Sequence, residues 1–517
     1  MGKFNNGLTP ADILPSITVF LILLFFVYYI SIVVPRQGTA EWISRKIHKD
    51  RLSLFAPRYS MDKKDILPFV VITLVFLSLA VFNLGGTATV DVIAHIQDPV
   101  PGQTHISNMY FDEVYFVRTA VEHIKNLNPY EITHPPLGKE IIAASILIVG
   151  ESPLGWRIIG AVCGVIMLLV MYVFIKNMFG KTAVAACGTL LLGFDFMRYV
   201  QTRIATIDTY AVLFILLAFF FMYRYITTDA DATFRKSLLP LALSGLFFGI
   251  SFAVKWIGFY AGAGLLILYI IRLYQLWDHY NSTGKTGFGI YLIKTLLYSM
   301  LFFVVIPVII YYITYIPYGT LRGMTVSGGM LWNPDYFRLV WQNQEAMLTY
   351  HSKTVLGAEH PFSSFWWQWI FNIKPILYVA GVSGDLRASF GAFGNPVIWW
   401  GGIPAVLVMA VRVFTHRDGR ALFILIGYLT QLLPWIAVSR IVFVYHYFPS
   451  TLFIVLAFAH MFNTLAERRK RSGLNAVYGY TAASGSVFAL FFPLLSGMYM
   501  PNWYYTNLVK WLYIWPF

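Results

Sequence analysis

The sequence contains few charged residues and very little cysteine. Only 12% of its 517 residues are charged, and the two cysteines are Cys163 and Cys187. A soluble protein carries about 25% charged residues, so the composition excludes an ordinary soluble domain. Both cysteines lie in hydrophobic stretches, which argues against a disulfide framework. No internal repeat is visible, which argues against the transporters that are built from inverted repeats.

Long hydrophobic runs take the place of the missing charge. Hydrophobic residues make up 58% of the chain and aromatic residues 18%. Twelve apolar runs of nearly bilayer-spanning length are predicted, at 12–34, 67–84, 156–175, 182–197, 208–226, 238–254, 257–274, 291–316, 396–414, 421–438, 441–463 and 475–497. They predict an all-α polytopic membrane protein with one bundle of about twelve transmembrane helices. The first ten residues lack a basic segment and a cleavage site, so we interpret 12–34 as a retained span rather than a signal peptide.

Positive charge is distributed unevenly between the loops. The net charge is +14, and most of the 38 Lys and Arg residues fall in alternate loops, with the densest run at 468–471. This pattern follows the positive-inside rule and favours anionic membrane lipids over nucleic acid as partners. It places the loops 85–140 and 317–395, and both termini, on the outer side of the membrane. The aromatic residues of 317–395 suit amphipathic helices that lie at the membrane interface.

The outer loop 85–140 carries the adjacent acids Asp112 and Glu113. From Asp112 onward, apolar residues recur at the spacing of a short amphipathic helix, so both acids are expected in its first turn. The helix dipole favours negative charge there, which explains the pair without any function. A carboxylate can also act as a general base towards a hydroxyl nucleophile, and one base is sufficient for an inverting displacement at a sugar carbon. Both interpretations stay open at this point.

The same loop continues through His134 to Lys139, at the start of a second helix predicted over 137–148. The chain is expected to be extended before its two prolines, and Pro136 can open the helix. The stretch is therefore also consistent with a structural turn alone. Lys139 can extend to the membrane interface along its apolar stem, or it can meet a lipid phosphate. Ionisable groups gathered beside a membrane are nevertheless the first candidates for a functional site.

Five short stretches have a recognisable order along the chain. They are YFDEVY at 110–115, HPPLGK at 134–139, GWR at 155–157, the region from His360 through Trp369 to GNPVIWW at 394–400, and the segment from Arg440 to Pro449. Together they resemble the protein O-mannosyltransferases, which are integral-membrane enzymes of the GT-C class. The resemblance covers roughly residues 67–463.

The resemblance implies a reaction and its catalytic residues. Enzymes of this family transfer mannose from a polyprenyl or dolichyl monophosphate to Ser or Thr hydroxyls of proteins. Asp112 would be the general base, and Glu113 would assist it in the same acceptor site. The implied partners are polyprenyl-phosphate-mannose, acceptor polypeptides and membrane lipids.

The resemblance also implies a phosphate site. Arg157, at the start of a span, would bind the donor phosphate. Arg440, with Tyr445 and His446, would neutralise the leaving phosphate. This agrees with elementary chemistry, because arginine pairs well with phosphate oxygens. Snorkelling of these arginines to the membrane edge is the alternative without function.

His134, Lys139 and Arg203 are further candidate substrate contacts. Asp208, five residues after Arg203, is expected to be its structural partner rather than a second catalytic acid. No metal ligand pattern such as His-Glu-x-x-His accompanies the histidines of the long outer loop, His351 and His360. We therefore predict no metal and no cofactor besides the lipid-linked donor substrate.

Three regions are expected along the chain. Residues 1–66 form an extra N-terminal span and a basic inner loop, 67–463 form the catalytic core, and 464–517 form a C-terminal span and an outer tail. The loop 317–395 is too short for the β-trefoil domain that eukaryotic members carry there. These departures indicate a prokaryotic-type member, in the plasma membrane, with its active site on the extracytoplasmic face.

Two alternatives stay open. The same lipid-phosphate-sugar chemistry could serve another sugar, or a lipid or cell-wall glycan acceptor, because a fold does not fix the substrate. A transporter or lipid flippase is the alternative from another class. Transporters place ionisable residues near mid-membrane, whereas here they gather at one face.

Overall fold

Ten helical segments of the described residues are long and apolar enough to cross a membrane. The computed structural model describes residues 10–33, 58–85 and 109–517. Most of the predicted basic loop 35–66 and the first part of the loop 85–140 lie outside these ranges. The polytopic helical fold that the sequence predicts is confirmed.

The helices before the long outer loop are α1 (Pro10–Val33), α2 (Ile66–Val81), α3 (Glu113–Ile124), α4 (Leu137–Val149), α5 (Pro153–Phe179), α6 (Thr182–Gly193), α7 (Phe196–Gln201), α8 (Asp208–Ile226), α9 (Phe234–Val254), α10 (Gly258–Thr283), α11 (Phe288–Met300) and α12 (Ile306–Ile313). Those that follow are α13 (Ile316–Thr320), α14 (Pro334–Thr349), α15 (Trp366–Ile370), α16 (Pro396–His416), α17 (Gly419–Leu432), α18 (Phe448–Leu495) and α19 (Asn502–Tyr504). The two helices predicted in the first outer loop are α3 and α4.

Each of the twelve predicted apolar runs lies on a helix. The run 182–197 forms α6, which is too short to cross a membrane alone. The run 441–463 begins before α18 and ends on its first half, and the run 475–497 covers its second half. The helix bends where Arg469 and Lys470 leave helical geometry. The bend coincides with the densest basic run, so the two halves of α18 can both cross the bilayer. The domain limits at 66 and 463 stay a prediction.

Local sequence fixes the start of several helices. The Ser152 side chain accepts a hydrogen bond from the Gly155 amide, and Pro153 occupies the first turn of α5. Asn395 accepts from the Val397 amide in the same way, with Pro396 at the first position of α16. A side-chain acceptor followed by proline is favourable at a helix start, because the first amide groups lack partners within the helix.

The interior of the bundle is formed by α5, α6, α8, α17 and the first half of α18. The residues of α18 from Phe448 to Leu465 are all buried, whereas α1, α2 and α11 carry many exposed apolar side chains. In a membrane protein such apolar surface faces lipid. The bundle therefore has a packed centre and a lipid-facing outer layer.

A small antiparallel sheet lies behind the first outer loop, and the sequence pattern does not predict it. Strand β1 (Ile376–Ser383) pairs with β2 (Leu386–Ala392), and β2 pairs with the short β3 (Met500–Pro501). Leu386 lies opposite Pro501 in the sheet register. The sheet thus ties the long outer loop to the C-terminal tail.

Candidate active site

Asp112 lies immediately before α3, on a backbone that its neighbour holds in an unusual conformation. Phe111 has a positive φ of 52°, which is costly for a bulky residue. Its ring packs against Tyr378 of β1 at 4.8 Å between centroids and against Phe443 at 5.9 Å. These contacts hold the strained residue in place. The side chain of Asp112 makes no capping hydrogen bond to α3, so helix capping does not account for it.

Asp112 faces a cavity of about 430 Å³. The cavity is bounded by α3, the stretch 130–134, the link between α9 and α10, the end of α14 and the stretch before α18. Its lining residues are Asp112, Tyr115, Phe116, Tyr130, Glu131, Thr133, His134, Lys255, Tyr350, His351, Val355, Arg440, Ile441, Phe443, Tyr445 and His446. The structure therefore brings together the predicted residues Asp112, His134, Arg440, Tyr445 and His446.

The surroundings of Asp112 make it a suitable base near neutral pH. Burial raises the pKa of Asp112 to about 7. The Lys255 ammonium opposes this rise, whereas the carboxylates of Asp208 and Glu131 add to it. A general base works best when its pKa lies near the operating pH, because it is then both available and reactive.

Lys255 enters the cavity from the short link between α9 and α10. Its Nζ atom lies 2.8 and 2.9 Å from the two carboxylate oxygens of Asp208. The prediction that Asp208 pairs with Arg203 is therefore wrong. Arg203 instead donates to the Tyr199 hydroxyl at 2.7 Å and to the backbone oxygen of Phe82. Asp208 starts α8, and its carboxylate turns towards the cavity while Arg203 turns towards the end of α2.

The opposite wall comes from the stretch between α17 and α18. Arg440 is half-buried and donates to the backbone oxygen of Ile441 at 3.1 Å. Among the described residues, no carboxylate forms an ion pair with Arg440. The His446 ring is buried and packs on Trp435, with 4.3 Å between centroids. Arg440 is thus a cation of the cavity whose charge remains available to a bound anion.

The stretch 130–134 is held by buried polar contacts that the sequence did not reveal. Glu131 Oε2 lies 2.7 Å from Lys139 Nζ, and Glu131 Oε1 lies 3.0 Å from His134 Nδ1. Lys139 is fully buried and does not line the cavity. Snorkelling of Lys139 and contact with a lipid phosphate are therefore both wrong for this structure. Burial favours the neutral form of Glu131, but Lys139 and His134 outweigh it and hold its pKa well below the usual range.

Glu113 points away from Asp112, into the protein. Its carboxylate accepts hydrogen bonds from Arg157 Nε at 2.8 Å and from Arg157 NH2 at 2.7 Å. It also accepts from the Ala205 amide at 2.8 Å. Glu113 and Arg157 are both fully buried, and neither lines the cavity. The direct acceptor and donor-phosphate contacts implied by the resemblance are therefore not formed by this geometry.

The histidines of the long outer loop behave differently from each other. His351 lines the cavity, with its ring 5.4 Å from that of His134, and its Nε2 lies 2.8 Å from the Thr133 oxygen. His360 packs on Phe443 at 5.0 Å between centroids and is not part of the lining. Within the described ranges, no three His, Cys, Asp or Glu side chains are placed to hold a metal ion. The expectation of no essential metal stays a prediction.

Two family models match the chain. The model described as dolichyl-phosphate-mannose-protein mannosyltransferase matches residues 152–318. The model described as the C-terminal four-TMM region of protein-O-mannosyltransferase matches residues 336–515. The chain belongs to the protein O-mannosyltransferase family. The family resemblance drawn from the sequence motifs is confirmed, and the chain is an enzyme rather than a transporter.

Similar proteins agree with this membership. A polyprenol-phosphate-mannose–protein mannosyltransferase of Mycolicibacterium smegmatis is 26% identical over 458 residues, which cover 78% of this chain and 87% of that protein. The protein of the same name from Mycobacterium tuberculosis is 24% identical over 463 residues, covering 78% and 86%.

Among solved structures, the Saccharomyces cerevisiae protein O-mannosyltransferase Pmt1-Pmt2 complex bound to the sugar donor is similar in fold. Its TM-score is 0.72 at 13% sequence identity, and the match covers 89% of this chain and 94% of that chain. The GT-C type of helical bundle that the resemblance implies is confirmed by this likeness.

Proposed function

We propose that this protein transfers mannose from polyprenyl-phosphate-mannose to Ser or Thr hydroxyls of polypeptides, with inversion at the sugar carbon and Asp112 as the general base. One observation carries the proposal. Asp112, with a pKa of about 7, shares a single cavity with two cations, Lys255 and Arg440. A transfer from a lipid phosphate needs a base for the incoming hydroxyl and positive charge for the departing phosphate.

The reaction is a single displacement. The acceptor oxygen forms a bond to C1 of mannose while the bond between C1 and the phosphate oxygen breaks. The hydroxyl proton goes to Asp112, and the bonding electrons leave with the polyprenyl phosphate. Arg440 and Lys255 stabilise the negative charge that develops on this leaving group, because charge-assisted hydrogen bonds to phosphate are strong.

Glu131 supports inversion rather than retention. A retaining mechanism needs a second carboxylate as the nucleophile. Glu131 is the other carboxylate of the cavity lining, but both of its oxygens are engaged, by Lys139 on one side and by Thr133 and His134 on the other. A carboxylate held in this way is poorly placed to attack a sugar carbon.

Glu113 and Arg157 are given an indirect role in this proposal. Their ion pair links the first residue of α3 to α5, and the Leu84 oxygen accepts a further hydrogen bond from Arg157 at 3.2 Å. The pair therefore fixes the residue next to Asp112. A Glu113 carboxylate that also binds the acceptor, as the resemblance implies, would require a rearrangement of this pair.

The acceptor is proposed to enter past two tyrosines. Tyr115 and Tyr130 line the cavity, and their parallel rings lie 6.1 Å apart at an interplanar angle of 4°. Their side chains are 45% and 55% exposed, so they form the open side of the cavity. Aromatic rings at the mouth of a site give a polypeptide contact area at low entropic cost.

The outer face of a prokaryotic plasma membrane is the proposed location. Most of the cavity lining comes from the outer loops 85–140 and 317–395, whereas the basic bend of α18 at Arg469 and Lys470 marks the other side. Basic segments stay on the cytoplasmic side of membrane proteins. The acceptor hydroxyls would then be those of exported polypeptides.

The experiment measures the transfer of labelled mannose. Membranes that contain the protein are given polyprenyl-phosphate-mannose labelled in the sugar, together with a Ser/Thr-containing peptide. If the donor is the β-anomer, we expect the labelled mannose on the peptide hydroxyl to be α-linked. Polyprenyl phosphate should be released in equal amount. Label that appears only in lipid or glycan would overturn the proposal that the acceptor is a protein. Use of another lipid-linked sugar in preference to mannose would overturn the donor.

A further inference from the structure

Glu131 is the centre of a buried network beside the base. Its Oε2 atom accepts from Lys139 Nζ at 2.7 Å. Its Oε1 atom accepts from the Thr133 amide at 2.7 Å and from the Thr133 hydroxyl. The same Oε1 atom lies 3.0 Å from His134 Nδ1. Glu131 is therefore saturated by its neighbours, and the proposed reaction does not consume it.

Lys139 keeps Glu131 in its ionised form. The ammonium has three protons. It donates one to the backbone oxygen of Glu131 at 2.9 Å, one to Glu131 Oε2 at 2.7 Å and one to the backbone oxygen of His134 at 2.9 Å. Lys139 is fully buried, so these three acceptors replace its water. A buried ammonium without its carboxylate would be strongly unfavourable, which makes the pair a permanent feature of the wall.

An ionised Glu131 decides which nitrogen of His134 carries the proton. A carboxylate can only accept hydrogen bonds, and the Thr133 hydroxyl, 3.1 Å from Nδ1, gives its proton to Glu131, so Nδ1 is assigned as the protonated nitrogen of the neutral ring. The lone pair then lies on Nε2, on the edge of the ring away from Glu131. Within residues 10–33, 58–85 and 109–517, no hydrogen bond to this Nε2 atom is formed. The ring itself lines the cavity.

We propose that Glu131 is a positioning residue, which with Lys139 fixes His134 as the Nδ1-protonated tautomer so that Nε2 accepts a hydrogen bond from a substrate hydroxyl. The inference rests on the proposed function, because it needs a hydroxyl-bearing substrate in this cavity. Mannose and the Ser/Thr acceptor both supply such a group. Burial also lowers the pKa of His134, which keeps the ring neutral near pH 7.

The substitution Glu131→Gln tests the tautomer directly. An amide has one oxygen and one NH2 group, and the charged Lys139 takes the oxygen because it can only donate. The NH2 group then faces Nδ1 and donates to it, at the expense of the Thr133 amide contact. His134 is thereby driven to carry its proton on Nε2, which can then only donate, so the substrate hydroxyl loses the acceptor for its own proton. A site that mispairs a buried polar group discriminates strongly against its substrate.

The chain offers a matched control for this substitution. Glu140 and His123 form a second Glu–His pair, with 2.6 Å between Oε1 and Nδ1, on α4 and α3, the helices that flank the stretch 130–134. Neither residue lines the cavity. We expect Glu131→Gln to lower kcat/KM by at least about tenfold, as partners that orient a metal-binding histidine do. We expect Glu140→Gln to stay within about twofold of the unsubstituted enzyme, because the pair lies outside the cavity.

A double-mutant cycle separates positioning from folding. If Glu131 acts through His134, adding Glu131→Gln to His134→Ala changes kcat/KM by less than about twofold, because the coupled partner is already gone. An equal loss in both backgrounds would mean that Glu131 supports the fold and does not act through His134. An unchanged kcat/KM for Glu131→Gln alone would also overturn the inference.

A measurement on the unsubstituted protein covers the case in which Glu131→Gln does not fold. Nitrogen-15 NMR of labelled histidine, with the His134 signal identified by its loss in His134→Gln, should show a protonated Nδ1 and a bare Nε2. A protonated Nε2 in the neutral ring would refute the assignment.

Kinetics with each substrate varied in turn then identify the hydroxyl. If His134→Ala lowers kcat/KM for the donor more than for the peptide, His134 contacts the sugar hydroxyl. If it lowers kcat/KM for the peptide more, His134 contacts the acceptor hydroxyl. A loss of equal size with both indicates a contact made in the transition state, where it lowers kcat, and no loss with either would contradict a contact to either hydroxyl. If the unsubstituted enzyme transfers no mannose to peptide, the proposed function fails. If it does and Glu131→Gln behaves like Glu140→Gln, only the positioning role fails.

Discussion

Lys255 Nζ lies 2.8 and 2.9 Å from the two oxygens of Asp208, inside the wall of the cavity that Asp112 faces. The pair joins the first residue of α8 to the link between α9 and α10. Lys255 also lies 5.3 Å from the Tyr445 ring centroid, so it holds a charge between two walls of the site. Since an ammonium has three protons, one remains for a bound phosphate after Asp208 has taken two.

Asp112→Asn should abolish transfer without unfolding the protein. The amide fits the same space but cannot take the hydroxyl proton, so we expect kcat to fall by at least about 100-fold, as general bases contribute about 10²–10⁴-fold. Thermal unfolding in detergent should be unchanged. Labelled mannose on a peptide is the measurement. Full activity in this variant would remove Asp112 from the mechanism.

The pH profile should report the ionisation of Asp112. The base must be deprotonated, so with a pKa of about 7 the activity should fall about tenfold per pH unit below pH 7 and level off above it. Asp208→Asn removes a carboxylate that raises this pKa and leaves Lys255, which lowers it, without its partner. The acid limb of kcat/KM should then move to lower pH. A limb that moves to higher pH, or not at all, would contradict this account of the cavity charges.

Glu113→Gln should destabilise the protein more than Asp112→Asn. Removal of one partner of a buried ion pair leaves an uncompensated charge, at a cost of about 3–5 kcal/mol. Adding Arg157→Met to Glu113→Gln should recover part of that loss, because no charge remains buried. Unfolding midpoints of the single and double variants measure this. A Glu113→Gln protein with unchanged stability and no activity would instead support a direct role for Glu113 in the acceptor site.

Arg440→Met should weaken use of the donor. Loss of a charge-assisted hydrogen bond to phosphate corresponds to about 1.5–3 kcal/mol, so kcat/KM for the lipid-linked donor should fall by about tenfold or more. Arg338→Met is the control, because Arg338 is exposed in an outer helix and pairs with Asp335. Donor titrations at saturating peptide compare the two. Equal effects would show that general surface charge, and not the cavity, accounts for the loss.

Tyr130→Ala should impair binding of the acceptor peptide and leave binding of the donor unchanged. The ring forms half of the stacked pair at the cavity mouth. A peptide that packs on this ring would lose a contact of up to about 0.5–1.5 kcal/mol beyond its area. The KM for the peptide should therefore rise several-fold while that for the donor stays constant. Tyr513→Ala, at a fully open position of the C-terminal tail, should alter neither. A rise in the donor KM would place the lipid, not the peptide, on this side.

The helices and half of the site could be predicted, because their signals are local. Apolar runs of bilayer length identify spans, and the spacing after Asp112 identifies α3. The motif residues His134 and Arg440 were found by resemblance, and folding brings both to the cavity of Asp112. The strands β1 and β2 form a hairpin across Gly384 and Asp385, and they were missed because the two stretches alternate too weakly to stand out. Only β3 pairs from a remote part of the sequence.

The partners of the charged residues could not be predicted, because distance along the chain does not decide them. Asp208 is five residues from Arg203 but pairs with Lys255, which marks a break between two apolar runs. The position of an ionisable residue at such a break is the feature of the sequence that could have indicated a role for Lys255 in the site. Glu131 lies three residues before His134 and escaped notice because nothing in the sequence indicates its contact with Lys139.

Asp112 and Glu113 are consecutive, yet one side chain faces the cavity and the other is enclosed by protein. A single peptide bond thus joins a residue that must meet the substrate, Asp112, to a residue that belongs to the rigid interior, Glu113. An insertion of one residue just before Asp112 would move its carboxylate to the enclosed position, and a deletion would move the Glu113 carboxylate to the cavity. The segment 109–113 is therefore one in which length is constrained as tightly as composition.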